Sequence, residues 1–313
     1  MRPERHQAPQ EGLTAGSQTV RPRILASALL GALLSFASGV AVALDLNSLW
    51  DFGRPELSEQ RFRTALLTST GDEALVLRTQ IARTYGLRKD FDAARRALSE
   101  IAGDIPSAGP EVQVRYHLEL GRTFASSTHP SSLVTPETRE KARAAYERAL
   151  AHARAAKLDG LAIDAIHMLA FVDRAPDDQL KWGEAALAVV LSSTQADAKR
   201  WEASVRNNVG YALHQLGRFH EALEQFQQAL SIRERGVNAQ ATRVARWMVA
   251  WTLRSLRRNE EALEMQLALE RDSDAAGQPD PYVFEELEAL YRGKGDLAKA
   301  QHYAARKAAV SGR

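Results

Sequence analysis

The 313-residue chain has no cysteine. Disulfides, thiolate metal sites, a cysteine nucleophile and a lipidated N-terminal cysteine are therefore excluded. Net charge is scarce too: 41 Lys and Arg face 39 Asp and Glu, which leaves no electrostatic footprint for nucleic acid. Aromatics make up only 7% of the chain, and no run of β-branched or aromatic residues alternates between turn residues, so strands are not expected. Phosphate-cradling and nucleophile-elbow motifs are missing: there is no GxxxxGK[ST], no GxGxxG behind a strand and no GxSxG. His220-Glu221-Ala222-Leu223-Glu224 lacks the second histidine of a zinc-protease helix, and the eight histidines are scattered, so neither a metal nor another cofactor is expected. What remains is ordinary globular material, 45% hydrophobic and 26% charged, sufficient for a sizeable core.

The small charge excess is localised. Arg2, Arg5, Arg21 and Arg23 outnumber Glu4 and Glu11 ahead of Leu44, and everything after is balanced. Ile24 to Leu44 contains no charged residue and closes on Ala41-Val42-Ala43. A basic stretch, an apolar stretch and small residues at alternate positions describe a secretory signal peptide spanning 1–43, cleaved after Ala43. The expected location is then periplasmic or secreted, with no membrane attachment after cleavage. About twenty apolar residues also suffice to cross a bilayer, so an inner-membrane anchor at 24–44 is the alternative.

Beyond a lead-in and capping helix over 44–74, near Leu57-Ser69, the chain repeats. Ile163-Arg174, Ala203-His214 and Arg243-Arg254 align without gaps at an offset of forty residues. Leu169, Val209 and Val249 coincide, each followed by a small residue: Ala170, Gly210 and Ala250. The fullest copy runs from Asn207 to Leu230, with Gly217 in the turn and Ala222, Phe226 and Ala229 in the second helix. Gly210 permits close helix approach, and Phe226 fills the space between hairpins. Further copies begin at Leu75, Val114 and Phe284. In the Val114 copy, Gly121 and Ala142 lie nine residues further apart than Gly210 and Ala222, so the Ala125-Thr138 stretch reads as an inserted surface loop, with hydroxyl groups but no base fixed by spacing. Trp182 replaces the small alanine of the Ile163 copy, and Ala304 stands where the last copy would carry an aromatic.

This pattern resembles the tetratricopeptide repeat (TPR), in which a small residue follows an aliphatic one and Ala-x3-Phe marks the partner helix. The forty-residue period exceeds the usual one of about 34, as in the longer-period, kinesin-light-chain-like branch. The resemblance implies an all-α, right-handed superhelical solenoid of about six helix hairpins over 75–313. It also implies a non-catalytic scaffold that binds a protein or peptide through a concave groove lined by the first helix of each pair. In this register the groove carries Phe171, Tyr211 and Trp251 in one row, His167, Asn207 and Trp247 one turn earlier, and Arg174, His214 and Arg254 nearly one turn later. Asn208 stands beside Asn207, and Arg83 and Arg122 extend the first row. Aromatic area with amide and cationic neighbours suits peptide capture, with Asn207, Asn208 and Arg254 able to clamp a terminal carboxylate. The same aromatics at helical spacing also fit core packing. Glu285, Glu286 and Glu288 read as acids favouring a helix start. A membrane-anchored scaffold of an envelope complex and a regulatory subunit of an envelope enzyme are the alternative functions.

Overall fold

A computed structural model describes residues 45–311. The proposed leader 1–43 and the apolar stretch up to Leu44 lie outside the described residues. Among the described residues there are fifteen α-helices and no strand. Two lead-in helices, α1 (Leu46–Leu49) and α2 (Pro55–Leu66), precede six hairpins. These are α3 (Gly71–Leu87) with α4 (Phe91–Ser99), α5 (Pro110–Arg122) with α6 (Pro136–Ala155), and α7 (Asp159–Val172) with α8 (Pro176–Ser192). After the short α9 (Ala196–Lys199) come α10 (Glu202–Gln215) with α11 (Phe219–Glu234), α12 (Ala239–Ser255) with α13 (Asn259–Ala275), and α14 (Pro281–Gly293) with α15 (Leu297–Ser311). Each hairpin packs internally and stacks on the next, the arrangement of a repeat solenoid. No described helix is long and apolar enough to cross a membrane.

Local chemistry sets the boundaries. Proline opens α2, α5, α6, α8 and α14, where a missing N–H costs nothing. Asp90, Asn238 and Asp280 cap α4, α12 and α14 by accepting backbone N–H bonds. Most hairpins turn alike: Arg218 N–H bonds Leu213 O, Arg258 bonds Leu253, Asp90 bonds Tyr85 and Asp296 bonds Tyr291. This closure requires one left-handed residue. Gly217 supplies it at φ +75°, whereas Arg257 adopts φ +61° at the equivalent place. The third hairpin differs. Ala175 is extended before Pro176, as a residue preceding proline prefers, and no left-handed residue occurs in this turn.

One position of the repeat sets the packing inside each hairpin. The residue at the place of Phe226 is Leu98, Tyr146, Ala186, Phe226, Gln266 and Ala304 in successive hairpins. Tyr146 and Phe226 are completely buried and lie against Gly121 and Gly210; a methyl group on Gly210 would sit 2.8 Å from the Phe226 ring. In the fifth hairpin Gln266 is equally buried, yet neither its amide nitrogen nor its oxygen has a hydrogen-bond partner. An unsatisfied buried amide loses its hydration without recompense. Gln266→Met, similar in volume and apolar, is expected to raise stability by about 1–2 kcal/mol, read as a higher urea midpoint at unchanged slope.

The inserted stretch between α5 and α6 is exposed over 130–133, as its composition suggests, whereas Ala125, Ser126 and His129 at its start are buried. His129 is 8% exposed and stacks on Phe91, with ring centroids 3.6 Å apart. Ser126 Oγ and His129 Nδ1 are 2.9 Å apart, and Tyr146 donates its hydroxyl proton to Ala125 O at 2.7 Å. The polar side chains satisfy one another locally and fasten the loop onto the first two hairpins. At the other end of the stack's first hairpin, Trp50 stacks on Phe52 and packs edge-on against Phe62, closing the core with the lead-in.

Candidate functional site

The third hairpin lacks the bulky residue that fills its neighbours, and a cleft lies there. Ala170 occupies the place of Gly210 and Ala186 that of Phe226; both line a cleft of about 50 Å³ between α7, α8 and α10. Trp182, in the place of Ala222, lines it from α8 and is held by an indole N–H bond to Asp173 Oδ2 at 2.9 Å. Gly183 lets α8 approach α10, since a methyl group there would meet Val209 Cγ2 at 2.9 Å. The cleft also lies where the two largest core clusters meet: Ile166, Ala186 and Val205 belong to one, and Tyr211 packs on the other.

Four of the groove residues expected from sequence converge here: His167, Phe171, Asn208 and Tyr211. Asn208 Nδ2 donates to His167 Nδ1 at 3.2 Å, which requires that nitrogen to be unprotonated. Burial holds His167 below the ordinary histidine range, against the pull of neighbouring Asp164. Arg174 stands outside the lining, exposed, with its guanidinium carbon 5.6 Å from the Phe171 ring centroid. The walls are thus largely apolar and without carboxylate or basic side chains other than the His167 imidazole; their polar groups include the imidazole–amide pair, Gln179 and the Tyr211 phenol.

Most of the rest of the expected surface is buried or paired, and the buried Asn207 amide nitrogen has no hydrogen-bond partner. Asn207, His214, Trp247 and Trp251 are 6%, 9%, 4% and 2% exposed. Trp251 stacks on His214 at 3.4 Å and lies 5.6 Å from Trp247, while His214 Nε2 meets Ser255 Oγ at 2.9 Å. These rings pack α10 against α12 and do not present an open aromatic face. Arg254 is no carboxylate clamp in this state: its Nε and Nη2 donate to both oxygens of Glu286 at 2.6 and 2.9 Å. Glu286, 2% exposed, therefore ties α14 to α12 and does not serve a helix start.

Arg83 and Arg122 are likewise neutralised. Glu119 Oε1 receives Arg83 Nη1 at 3.3 Å and Arg122 Nη1 at 2.6 Å, and Arg122 Nη2 reaches Asp164 Oδ1 at 2.5 Å. This ionic row crosses three hairpins. Burial opposes the charge on Arg122, but Asp164 and Glu119 more than restore it; burial, reinforced by Arg122, weakens proton binding by Arg83. The carboxyl of Asp164 is pulled below its usual range by Arg122 and Arg83, in spite of burial.

Histidine burial gives the molecule a defined pH response. His117, stacked 5.6 Å from His152, is pushed down to about 4 by burial, then by His152 and Arg148. His129 and His167 shift the same way. Unfolded histidines bind protons below their ordinary value of 6.5 while these do not, so stability falls as pH drops from there towards about 4. The urea midpoint is expected to fall between pH 7 and pH 4.5, and His117→Leu to flatten that fall.

Among the other lining residues, Trp182 stands out in the sequence as an exception to the repeat, whereas Gln179, Gly183 and Ala186 carry no mark of their own. The signal was comparative: Ala186 lies one period before Phe226.

Residues 180–268 match the tetratricopeptide repeat family, from within α8 through α13. No sequence among the curated proteins matches the chain. Among solved structures, the fold is similar to that titled "Crystal Structure of Rap Protein Complexed with Competence and Sporulation Factor", at 12% identity over 84% of this chain and 74% of that one, with a TM-score of 0.53. BtubC (BKLC) from P. vanneervenii gives a TM-score of 0.39 at 16% identity, covering 86% of this chain and 94% of that one. The tetratricopeptide match covers residues 180–268, and stacked helix hairpins continue on both sides of it among the described residues, so the fold is an all-α, TPR-like solenoid.

Proposed function

We propose that the chain is a non-catalytic scaffold of the bacterial cell envelope that captures a protein or peptide partner, with the third-hairpin cleft as its anchor point. The observation that carries this reading is the vacancy itself. Where Tyr146 and Phe226 fill their hairpins, Ala170 and Ala186 leave a cleft lined by His167, Phe171, Asn208 and Tyr211. An apolar cleft with a few convergent polar groups is the usual form of a recognition pocket. Support for the partner class comes also from the solenoid, whose extended face suits a chain-like ligand, and from the structural neighbour, itself complexed with Competence and Sporulation Factor. The forty-residue period supports a place in the longer-period, kinesin-light-chain-like branch.

Ala186→Leu reproduces the buried Ala82 and Leu98 pair that the first hairpin carries at the places of Ala170 and Ala186, and fills the cleft. In selection from a displayed random-peptide library, sequences enriched on the wild-type chain are expected to lose binding to Ala186→Leu, with unfolding temperature unchanged or raised. Enriched peptides that bind both chains equally would contradict the assignment. Export rests on the leader pattern before Leu44; a mature N-terminus at Leu44 by mass spectrometry is the expected result. The uncharged run Ile24 to Leu44 favours a second reading, a membrane-anchored scaffold, which retention of that run in the mature protein would establish.

A further inference from the structure

The size, polarity and rim charge of the cleft together narrow its occupant. The open cleft is small, about 50 Å³, and is walled by the aliphatic groups of Ile166, Ala170, Ala186 and Val205 beside the Phe171 ring, which suits an aliphatic side chain of modest size. The lining carries no formal charge, because His167 is the only titratable lining residue besides Tyr211 and it donates no charge while bonded to Asn208. Burying a charged side chain there would leave it without a counter-ion, at a large desolvation cost. Just outside, Arg174 is a cation with no carboxylate of the described residues in ion-pair range, Asp177 and Asp178 at the start of α8 included. The other arginines of the first-helix row differ: Arg83 and Arg122 share Glu119, and Arg254 is doubly bonded to Glu286. Asp173, next to Arg174, is itself taken by Arg143 and the Trp182 indole.

Building on the scaffold reading above, we infer that the cleft recognises an internal peptide segment in which a leucine-sized aliphatic residue is flanked by an acidic side chain. The aliphatic group occupies the space between Ala170 and Ala186, and the flanking carboxylate pairs with Arg174. Arg174 does not line the cleft, so the acid it meets belongs to a neighbouring residue of the peptide and not to the residue whose side chain is inside. An exposed cation orients and selects a charged partner more than it tightens binding, and salt screens it. Leucine without the acid is therefore expected to bind weakly, and the acid without leucine not at all.

The test uses the full chain labelled with ¹⁵N and follows its tryptophan indole signals. Trp182 lines the cleft, and Trp201 lies 5.9 Å from the His167 ring, so both report on it. The probes are blocked pentapeptides with a central leucine flanked by glutamate, by serine or by lysine. Further arms carry central alanine or tryptophan between glutamates, and a peptide ending in leucine with a free carboxylate. Glutamate-flanked leucine is expected to bind about fivefold more tightly than serine-flanked leucine at low salt, with the advantage lost in 1 M salt. Arg174→Glu is expected to reverse the preference towards lysine, and the alanine and tryptophan peptides to leave the signals unmoved. Equal binding of all three leucine peptides, or a preference unaltered by Arg174→Glu, would overturn the acidic-flank inference while leaving the scaffold reading intact. Tighter binding of the free-carboxylate peptide would overturn the internal-segment assignment. If no peptide moves either indole, the cleft reading itself fails. Indole shifts that follow protein concentration alone would make a second copy of the chain the occupant and overturn the proposal.

Discussion

Glu119→Leu is expected to cost about 3–5 kcal/mol, a large share of the stability of an ordinary domain. Glu119 is 3% exposed and is the common acceptor for Arg83 and Arg122. Removing it leaves two buried guanidinium groups with only Asp164 between them, and Arg83 without a carboxylate partner among the described residues. A buried charge stripped of its partner cannot recover the hydration it surrendered. The effect comes from charge matching and not from the number of hydrogen bonds, so a second substitution distinguishes the two explanations. In Arg83→Met/Glu119→Leu, one charge of each sign disappears and the Arg122–Asp164 pair at 2.5 Å stays balanced. That double variant is expected to recover most of the loss in urea unfolding. A double variant as unstable as Glu119→Leu would show that the pair matters through shape or hydrogen bonding alone.

Phe226→Ala is expected to be comparably costly, about 3–5 kcal/mol. The ring is completely buried and fills the space over Gly210. Its loss removes apolar area from the core and opens a void in the best-formed hairpin. Gly210→Leu attacks the same contact from the opposite side: its first carbon already falls 2.8 Å from the ring, so the variant loses about 1–3 kcal/mol through overpacking. The two changes compensate geometrically. When they are combined, the side chain introduced by Gly210→Leu occupies space that the Phe226 ring vacated. The double variant is expected to be more stable than the sum of the single losses predicts, by about 1 kcal/mol or more. Strict additivity would mean that Gly210 and Phe226 do not share one packing site.

Phe226 and its equivalents also show what the sequence revealed and what it concealed. The hairpins were legible because forty-residue self-similarity places an aliphatic-small pair and a turn at fixed intervals, and local caps agree with that register. The first-helix row was legible as a row. Its exposure was not, because a tryptophan at helical spacing reads the same whether it faces a groove or stacks on His214 as Trp251 does. The ionic contacts were concealed for a related reason: Arg83 meets Glu119 at a separation of 36 residues and Arg122 meets Asp164 at 42, so the partners sit in different repeats. The polar contacts Asn208–His167 and His214–Ser255 both have a separation of 41. Side chains about one period apart become neighbours when hairpins stack, and pairing opposite charges across that distance recovers this network. The cleft was hardest to see. An alanine at Ala186 is an unremarked core residue in isolation; only against Tyr146 and Phe226 does it register as a missing ring. The packed state of His129 was unreadable for the opposite reason, since its polar neighbours describe a surface loop until Phe91 covers them.

The central claim is that the position left unfilled in the third hairpin is where a partner docks. The most direct measurement is photocrosslinking of a library-selected peptide whose anchoring leucine is replaced by photo-leucine, of nearly the same size, followed by mapping of the adducts by mass spectrometry. The account predicts adducts on α7, α8 and α10, within residues 159–215, and their loss in Ala186→Leu. Adducts on the second helices α11 and α13, or labelling of α7, α8 and α10 that persists in Ala186→Leu, would contradict it.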